Sequence, residues 1–174
     1  NSERFPYLKN VVYIGMEKYR GMYNTAELLL LGQNIEDETL NEMKKQVSCY
    51  DVCNMQYTSG TTGFPKGVML THYNIVNDGK MIGDGMDLST ADRMMIQVPM
   101  FHCFGMVLAM TATMTHGGTI LPLPYFSPKS SLACIHNEHI TAFHGVPTMF
   151  IAMLGHPDFE KTAFSHMRTG IMES

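Results

Sequence analysis

Between Tyr57 and Val68 the chain reads YTSGTTGFPKGV, a stretch in which hydroxyls, glycines and a lysine crowd together. Gly60, Gly63 and Gly67 let backbone N–H groups approach a ligand with no Cβ in the way. Thr58, Ser59, Thr61 and Thr62 add hydroxyl donors, and Lys66 adds a positive point charge. Donors of these kinds on one short loop are suited to cradling phosphates. A Walker-type loop would need Ser or Thr directly after the lysine, followed by a helix. Here Lys66 is followed by Gly67 and then by a segment that alternates like a strand, so the phosphates must be gripped in another way.

A second group of residues follows in Pro99-Met-Phe-His102-Cys-Phe-Gly105. His102 comes just after an expected strand end, at the edge where parallel α/β sheets place their ligands. Weighed against a ligand-facing role is a histidine satisfied by backbone in the core. His72, in the first turn of an expected helix, reads as a surface or capping residue. Cys134, His136, His139 and His144 are the right residue types for zinc, but a helix followed by a strand would scatter them over different faces, and no Cys-x-x-Cys pair anchors them. No metal site is expected.

The elements that must hold these residues follow from periodicity. Asn10–Ile14 reads as a strand closed by Gly15. Asn24 with Glu27 fits a capping box for a short helix over Leu28–Leu31, ended by Gly32. A second helix starts near Asp37, with acids in its first turn and Lys44 and Lys45 in its last. Leu40, Met43 and Val47 form its apolar stripe. Met55 and Tyr57 alternate with polar neighbours before the loop, as Val68 and Leu70 alternate after it, so the loop joins two strands. Thr71 then caps a helix carrying Ile75, Val76 and Ile82, with Gly79 weakening its middle.

From Met94 the pattern is buried. Met94–Val98 is a strand, and Phe104–Met114 is apolar all round and expected to be a helix covered on every side. Thr119–Leu123 is a strand, Ser127-Pro128 starts a helix, and Ile140–Phe143 is a strand. Pro147 opens a helix with Met149, Phe150, Met153 and Leu154 inward, and Arg168–Met172 begins a last strand. The fold class expected is α/β: a largely parallel sheet with crossover helices plus a strand-loop-strand phosphate-binding element. No repeat, low-complexity tract or interdomain linker stands out.

The 174 residues carry a formal net charge of −4 and only 16% charged residues, which gives no basic patch for nucleic acid. No apolar run approaches the ~20 residues that span a bilayer, and no secretory signal opens the chain. The expected location is cytoplasmic. The four cysteines, Cys49, Cys53, Cys103 and Cys134, lack a disulfide-framework spacing and read as free buried thiols. The 17 methionines read as adaptable core packing.

Tyr57–Val68 resembles the phosphate-binding loop of the adenylate-forming enzymes, the family of acyl-CoA synthetases, peptide-synthetase adenylation domains and luciferases. Thr71-His-Tyr-Asn74, Pro99–Gly105, Gly145-Val-Pro-Thr-Met-Phe150 and Arg168-Thr-Gly-Ile171 agree in kind and order, covering roughly Asp51 to the C-terminus. The resemblance implies ATP-dependent activation of a carboxylate, fatty or otherwise apolar, to an acyl-adenylate and its transfer to CoA, with Mg²⁺ as a cofactor. It assigns the phosphates to Thr58, Ser59, Gly60, Thr61, Thr62, Gly63 and Lys66, of which Thr58 and Lys66, with His102, are the candidate catalytic residues. It places Phe101, His102, Phe104, Val146, Pro147 and Thr148 at the carboxylate and acyl site. Residues 1–174 are then expected to be a partial domain, a piece of the family's large N-terminal domain that is inactive alone; the missing initiator Met and the abrupt end at Ser174 agree. Two alternatives are a stand-alone nucleotide- or phosphate-binding module and a structural fragment with an incidental loop.

Overall fold

A computed structural model describes residues 3–58 and 63–173. The chain divides into two compact units, Asn1–Ser48 and Cys49–Ser174, with no proline- or glycine-rich linker at the junction.

In the first unit, β1 (Val12–Tyr13) pairs in parallel with β2 (Tyr23–Asn24). Asn24 caps α1 (Thr25–Gly32): its Oδ1 accepts the Glu27 N–H at 2.9 Å, and Glu27 Oε2 accepts the Asn24 N–H at 3.0 Å. This is the expected capping box. Helix α2 (Asp37–Lys45) has the expected charge polarity, but Leu40, Met43 and Val47 are all exposed, so the apolar stripe has no cover among the described residues.

The second unit begins with an antiparallel hairpin, β3 (Val52–Thr58) and β4 (Lys66–Thr71), whose register runs from Val52 opposite Thr71 to Thr58 opposite Lys66. Thr71 Oγ1 accepts the Asn74 N–H at 3.1 Å and so caps α3 (His72–Gly85) as expected. The chain continues through β5 (Arg93–Ile96), a π-helix (Phe104–Thr111), α4 (Ala112–Thr115), β6 (Thr119–Pro122), α5 (Pro128–Glu138), β7 (Ala142–Phe143) and α6 (Pro147–Leu154). Strands β6, β5 and β7 lie in that order, all parallel. Thr169 and Met172 extend the pattern by parallel bridges to Ala142 and Gly145.

Strand β5 is buried on both faces, which is why its sequence reads as continuous apolar residues rather than alternation. Met94 and Ile96 face a cluster with Val98, Phe104, Ala109 and Ala112; Met95 faces the other, with Leu132, Ile135, Ile140 and Met153. Leu154, expected inward, is exposed. The segment at Arg168 is anchored by Asp92: the guanidinium donates to its carboxylate at 2.8 Å and to the Met86 and Asp87 carbonyls. Burial alone would raise the Asp92 carboxyl. The Thr141 hydroxyl, the Arg168 guanidinium and the Ser89 N–H outweigh burial and hold it below the usual carboxylate range.

Three expectations change. Gly79 is a packing residue of α3 rather than a weak point: a Cβ there would meet Thr111 Cγ2 at 2.6 Å, and one at Gly83 would meet the His116 ring at 2.2 Å. Both are buried where α3 lies against the π-helix and α4. The helix from Phe104 is a π-helix for eight residues, and some of its carbonyls are taken by side chains: Thr111 Oγ1 donates to Met106 O at 2.9 Å, and His144 Nε2 lies 3.0 Å from Leu108 O. It is not covered on every side, because Met114 at its continuation is exposed. The cysteines are free, but Cys49 and Cys53 are exposed and Cys103 and Cys134 are half-buried, so none is a fully buried thiol. Burial pushes the Cys134 thiol up.

Candidate functional site

The hairpin sets the two ends of the loop opposite one another. Thr58 and Lys66 are register partners at its last pair. Ser59, Gly60, Thr61 and Thr62, named above as phosphate donors, lie outside the described residues. Gly63 has φ +85°, a conformation that L side chains rarely adopt, so this position requires glycine. Lys66 is exposed and pairs with no carboxylate among the described residues, which leaves its charge available.

One face of β3 connects this loop to the histidine segment. Gln56 Nε2 donates to the Phe101 carbonyl at 3.3 Å, and Asn54 Nδ2 lies 3.5 Å from Met106 Sδ. Two polar residues in alternation, on the less exposed face of an otherwise open strand, are thereby accounted for.

After β5 the chain turns at Pro99, whose carbonyl accepts the His102 N–H at 3.2 Å. His102 Nδ1 accepts the Phe104 N–H at 3.2 Å, so the neutral ring carries its proton on Nε2. Beside it is a cavity of about 390 Å³, lined by His102, Phe101, Phe104, Val146, Met149 and Glu173 among others. Four of the expected acyl-site residues thus come together. Pro147 and Thr148 do not line this cavity; their place is taken by Met149, which had read as core. In the first turn of α6, Met149 is only partly buried and touches both the core cluster and the cavity. Phe101 is 85% exposed, whereas Phe104 is buried and stacks on the His144 ring, centroids 5.5 Å apart.

His144 stacks on Phe104, which lines the cavity. Its Nδ1 accepts the Ile171 N–H at 3.1 Å, which leaves Nε2–H to donate to Leu108 O, and its own carbonyl accepts from Gln97 Nε2 at 3.2 Å. Burial lowers its pKa against the opposing effect of backbone hydrogen bonds to Leu108 and Phe143. The other three residues weighed for zinc are separately engaged or placed. His136 Nδ1 accepts the Ala163 N–H, His139 is the left-handed cap of α5 with its ring against His166, and Cys134 packs against the core. His72 is the exposed first residue of α3, its N–H donating to Asp51 O at 3.3 Å.

Sequence reasoning passed over Gln56, Gln97 and Met149. The signal for Gln97 was available: it is the one amide in the apolar run from Met94 to Val98.

The hairpin is thus tied through Gln56 to the histidine-bearing turn at the end of a parallel strand. The family described as AMP-binding enzyme matches residues 9–173, and the chain belongs to it. It is 48% identical over 171 residues to the candidate acyl-CoA synthetase YngI of Bacillus subtilis, covering 98% of this chain and 31% of that protein. Among solved structures it is similar to the inhibitor-bound N-terminal domain of FACL13 from Mycobacterium tuberculosis, with TM-score 0.68 and 25% identity over 87% of this chain and 37% of that one. It is also similar to ATP-bound MatB from Rhodopseudomonas palustris, with TM-score 0.64 and 30% identity over 74% and 25% of the two chains. The chain thus spans about a third of the length of the relatives it matches.

Proposed function

We propose that these residues form the phosphate-binding wall and part of the acyl pocket of an AMP-forming acyl-CoA ligase. The observation that carries this is the Gln56–Phe101 hydrogen bond, which fixes the loop-bearing strand against the segment holding His102. In the first step a carboxylate oxygen attacks the α-phosphorus of ATP, the bond from that phosphorus to the bridging oxygen breaks, and pyrophosphate departs with the electron pair. Charge grows on the leaving group, so donors already aimed at it lower the barrier. Lys66, Thr58 and Gly63, with Ser59, Gly60, Thr61 and Thr62, have that role. His102, with Nδ1 occupied, offers Nε2–H to orient the attacking carboxylate, and Phe101, Phe104, Val146 and Met149 wall the acyl group, with Pro147 and Thr148 at the start of α6 bordering it. In the second step the CoA sulfur attacks the acyl carbon, AMP leaves and the thiol proton is released.

Mg²⁺ belongs to this proposal for the complete ligase. Among the described residues no group of three or more His, Cys, Asp or Glu is placed to hold it. The apolar lining favours a fatty or otherwise apolar acid. The unpaired thiols favour the cytoplasm, and no helix of the described residues is long and apolar enough to cross a membrane.

The 174 residues are further proposed to be a partial domain that does not complete the reaction alone. Pyrophosphate exchange with ATP and octanoate tests this: the chain by itself is expected to give none, and exchange at the rate of a complete ligase would overturn it.

A further inference from the structure

Three walls of the cavity beside His102 come from segments far apart in the chain: Phe104 from the start of the π-helix, Val146 from the cap of α6, and Glu173 from the segment after Arg168. One buried ring joins the three segments without lining the cavity itself. His144 directly follows β7, stands two residues before Val146 and is 1% exposed. Its ring stacks on that of Phe104 with planes only 4° from parallel. Nε2 lies 3.0 Å from Leu108 O in the π-helix, and Nδ1 accepts the N–H of Ile171, two residues before Glu173. Gln97 Nε2 donates to the His144 carbonyl and holds its backbone. One ring nitrogen faces an acceptor and the other a donor, so only the neutral ring with its proton on Nε2 satisfies both. An imidazole costs more to bury than an aliphatic side chain. What it returns here is a partner for two backbone groups on different segments.

Resting on the ligase reading, we infer that His144 is a positioning residue for the carboxylic acid: through Phe104 and the π-helix it sets the place of His102, and through Ile171 it sets the wall at Glu173. The link to His102 is short, because the Phe104 N–H donates to His102 Nδ1 at 3.2 Å. π-Helical turns recur at functional sites, and this one starts at the residue that bonds His102. A shift of the π-helix therefore passes directly to the imidazole that orients the attacking carboxylate. His144 acts only through these neighbours. Its two kinds of contact are separable by substitution. His144→Phe keeps a ring against Phe104 but leaves Leu108 O and the Ile171 N–H without their partner. His144→Gln sets an amide nitrogen where Nε2 stands, keeping the donor to Leu108 O and losing the acceptor at Nδ1.

The test is pyrophosphate exchange by the full-length polypeptide that carries these residues, using the best-used acid from a panel of short-chain, medium-chain and aromatic carboxylates. In His144→Phe, KM for the acid is expected to rise and kcat/KM for it to fall by about 10²-fold, the scale of a small misplacement of reacting groups. KM for ATP should not change, because neither hydrogen bond of the ring reaches the hairpin that bears Lys66. His144→Gln should fall between wild type and His144→Phe. A purely structural role would lower the amount of active enzyme, so that kcat falls and neither KM moves. That result, or an unchanged KM for the acid in folded His144→Phe, overturns the inference and leaves the ligase reading standing. If His144→Phe does not fold, the same split between the two KM values in His144→Gln decides. Absence of exchange by the wild type with every acid overturns the ligase reading and the inference with it.

Discussion

Met69 in β4 and Met94 in β5 are the same residue type in strands of the same unit, yet Met69 is 64% exposed and Met94 is 0% exposed. The hairpin is open on most of its surface, with Met55, Tyr57, Val68 and Met69 all exposed, while the parallel sheet is covered on both faces. The sheet supplies the fixed base, with Gln97 and His144 on it and the Pro99 turn at its edge. The hairpin supplies reach, holding Thr58 and Lys66 opposite one another and meeting the His102 segment through a few polar contacts. Stability is therefore concentrated in one region, and the proposed phosphate chemistry in the other.

The largest expected effect is on the sheet. Met94→Ala should cost about 2–5 kcal/mol through lost burial and the cavity left behind, whereas Met69→Ala should stay within about 0.5 kcal/mol. Urea unfolding monitored by circular dichroism compares them, and equal losses would break the contrast between the two regions.

A smaller effect is expected at His144. Its pKa in the folded chain lies below the ordinary histidine value of about 6.5, so the unfolded chain binds the extra proton more readily. The stability it contributes is fully present above about pH 6.5 and is lost as pH falls from there through the folded value. Urea midpoints should decline over that interval, and the decline should be shallower in His144→Gln. An identical pH profile in both would show that the buried ring is not the titrating group.

The smallest effect on stability is expected at the contact joining the regions. Gln56→Ala removes one partly exposed hydrogen bond and should cost about 0.5–1 kcal/mol. Because that bond ties β3 to the His102 segment, kcat for pyrophosphate exchange in the proposed full-length ligase should fall by more than the stability loss implies. A full rate in a folded Gln56→Ala variant would show that the hairpin needs no tie to the His102 turn.

Much of this arrangement was legible in the sequence because it is written in local spacing. Asn24 with Glu27 and Thr71 with Asn74 place helix starts within four residues, and alternation around the loop gives a hairpin without knowledge of anything distant. Features that depend on a remote partner were not legible. Gly79 reads as a helix weakness until Thr111 stands against it. The π-helix looks like any apolar helix until side chains such as Thr111 and His144 are seen at its carbonyls. Met149 read as core because the apolar face of α6 serves the core and a cavity at once. Of the candidate site, the order of the motifs was readable, but Gln56 and Gln97 act through contacts 45 and 47 residues away and gave only a weak signal.

The central claim is that the hairpin loop grips the phosphates of ATP. Lys66→Ala in the proposed full-length ligase tests it directly, because the side chain is exposed and its loss should leave the urea midpoint unchanged. Removing one preorganised donor to the leaving group should lower kcat/KM for ATP in pyrophosphate exchange by about 10²–10³-fold. An unchanged exchange rate in a folded Lys66→Ala enzyme would contradict it.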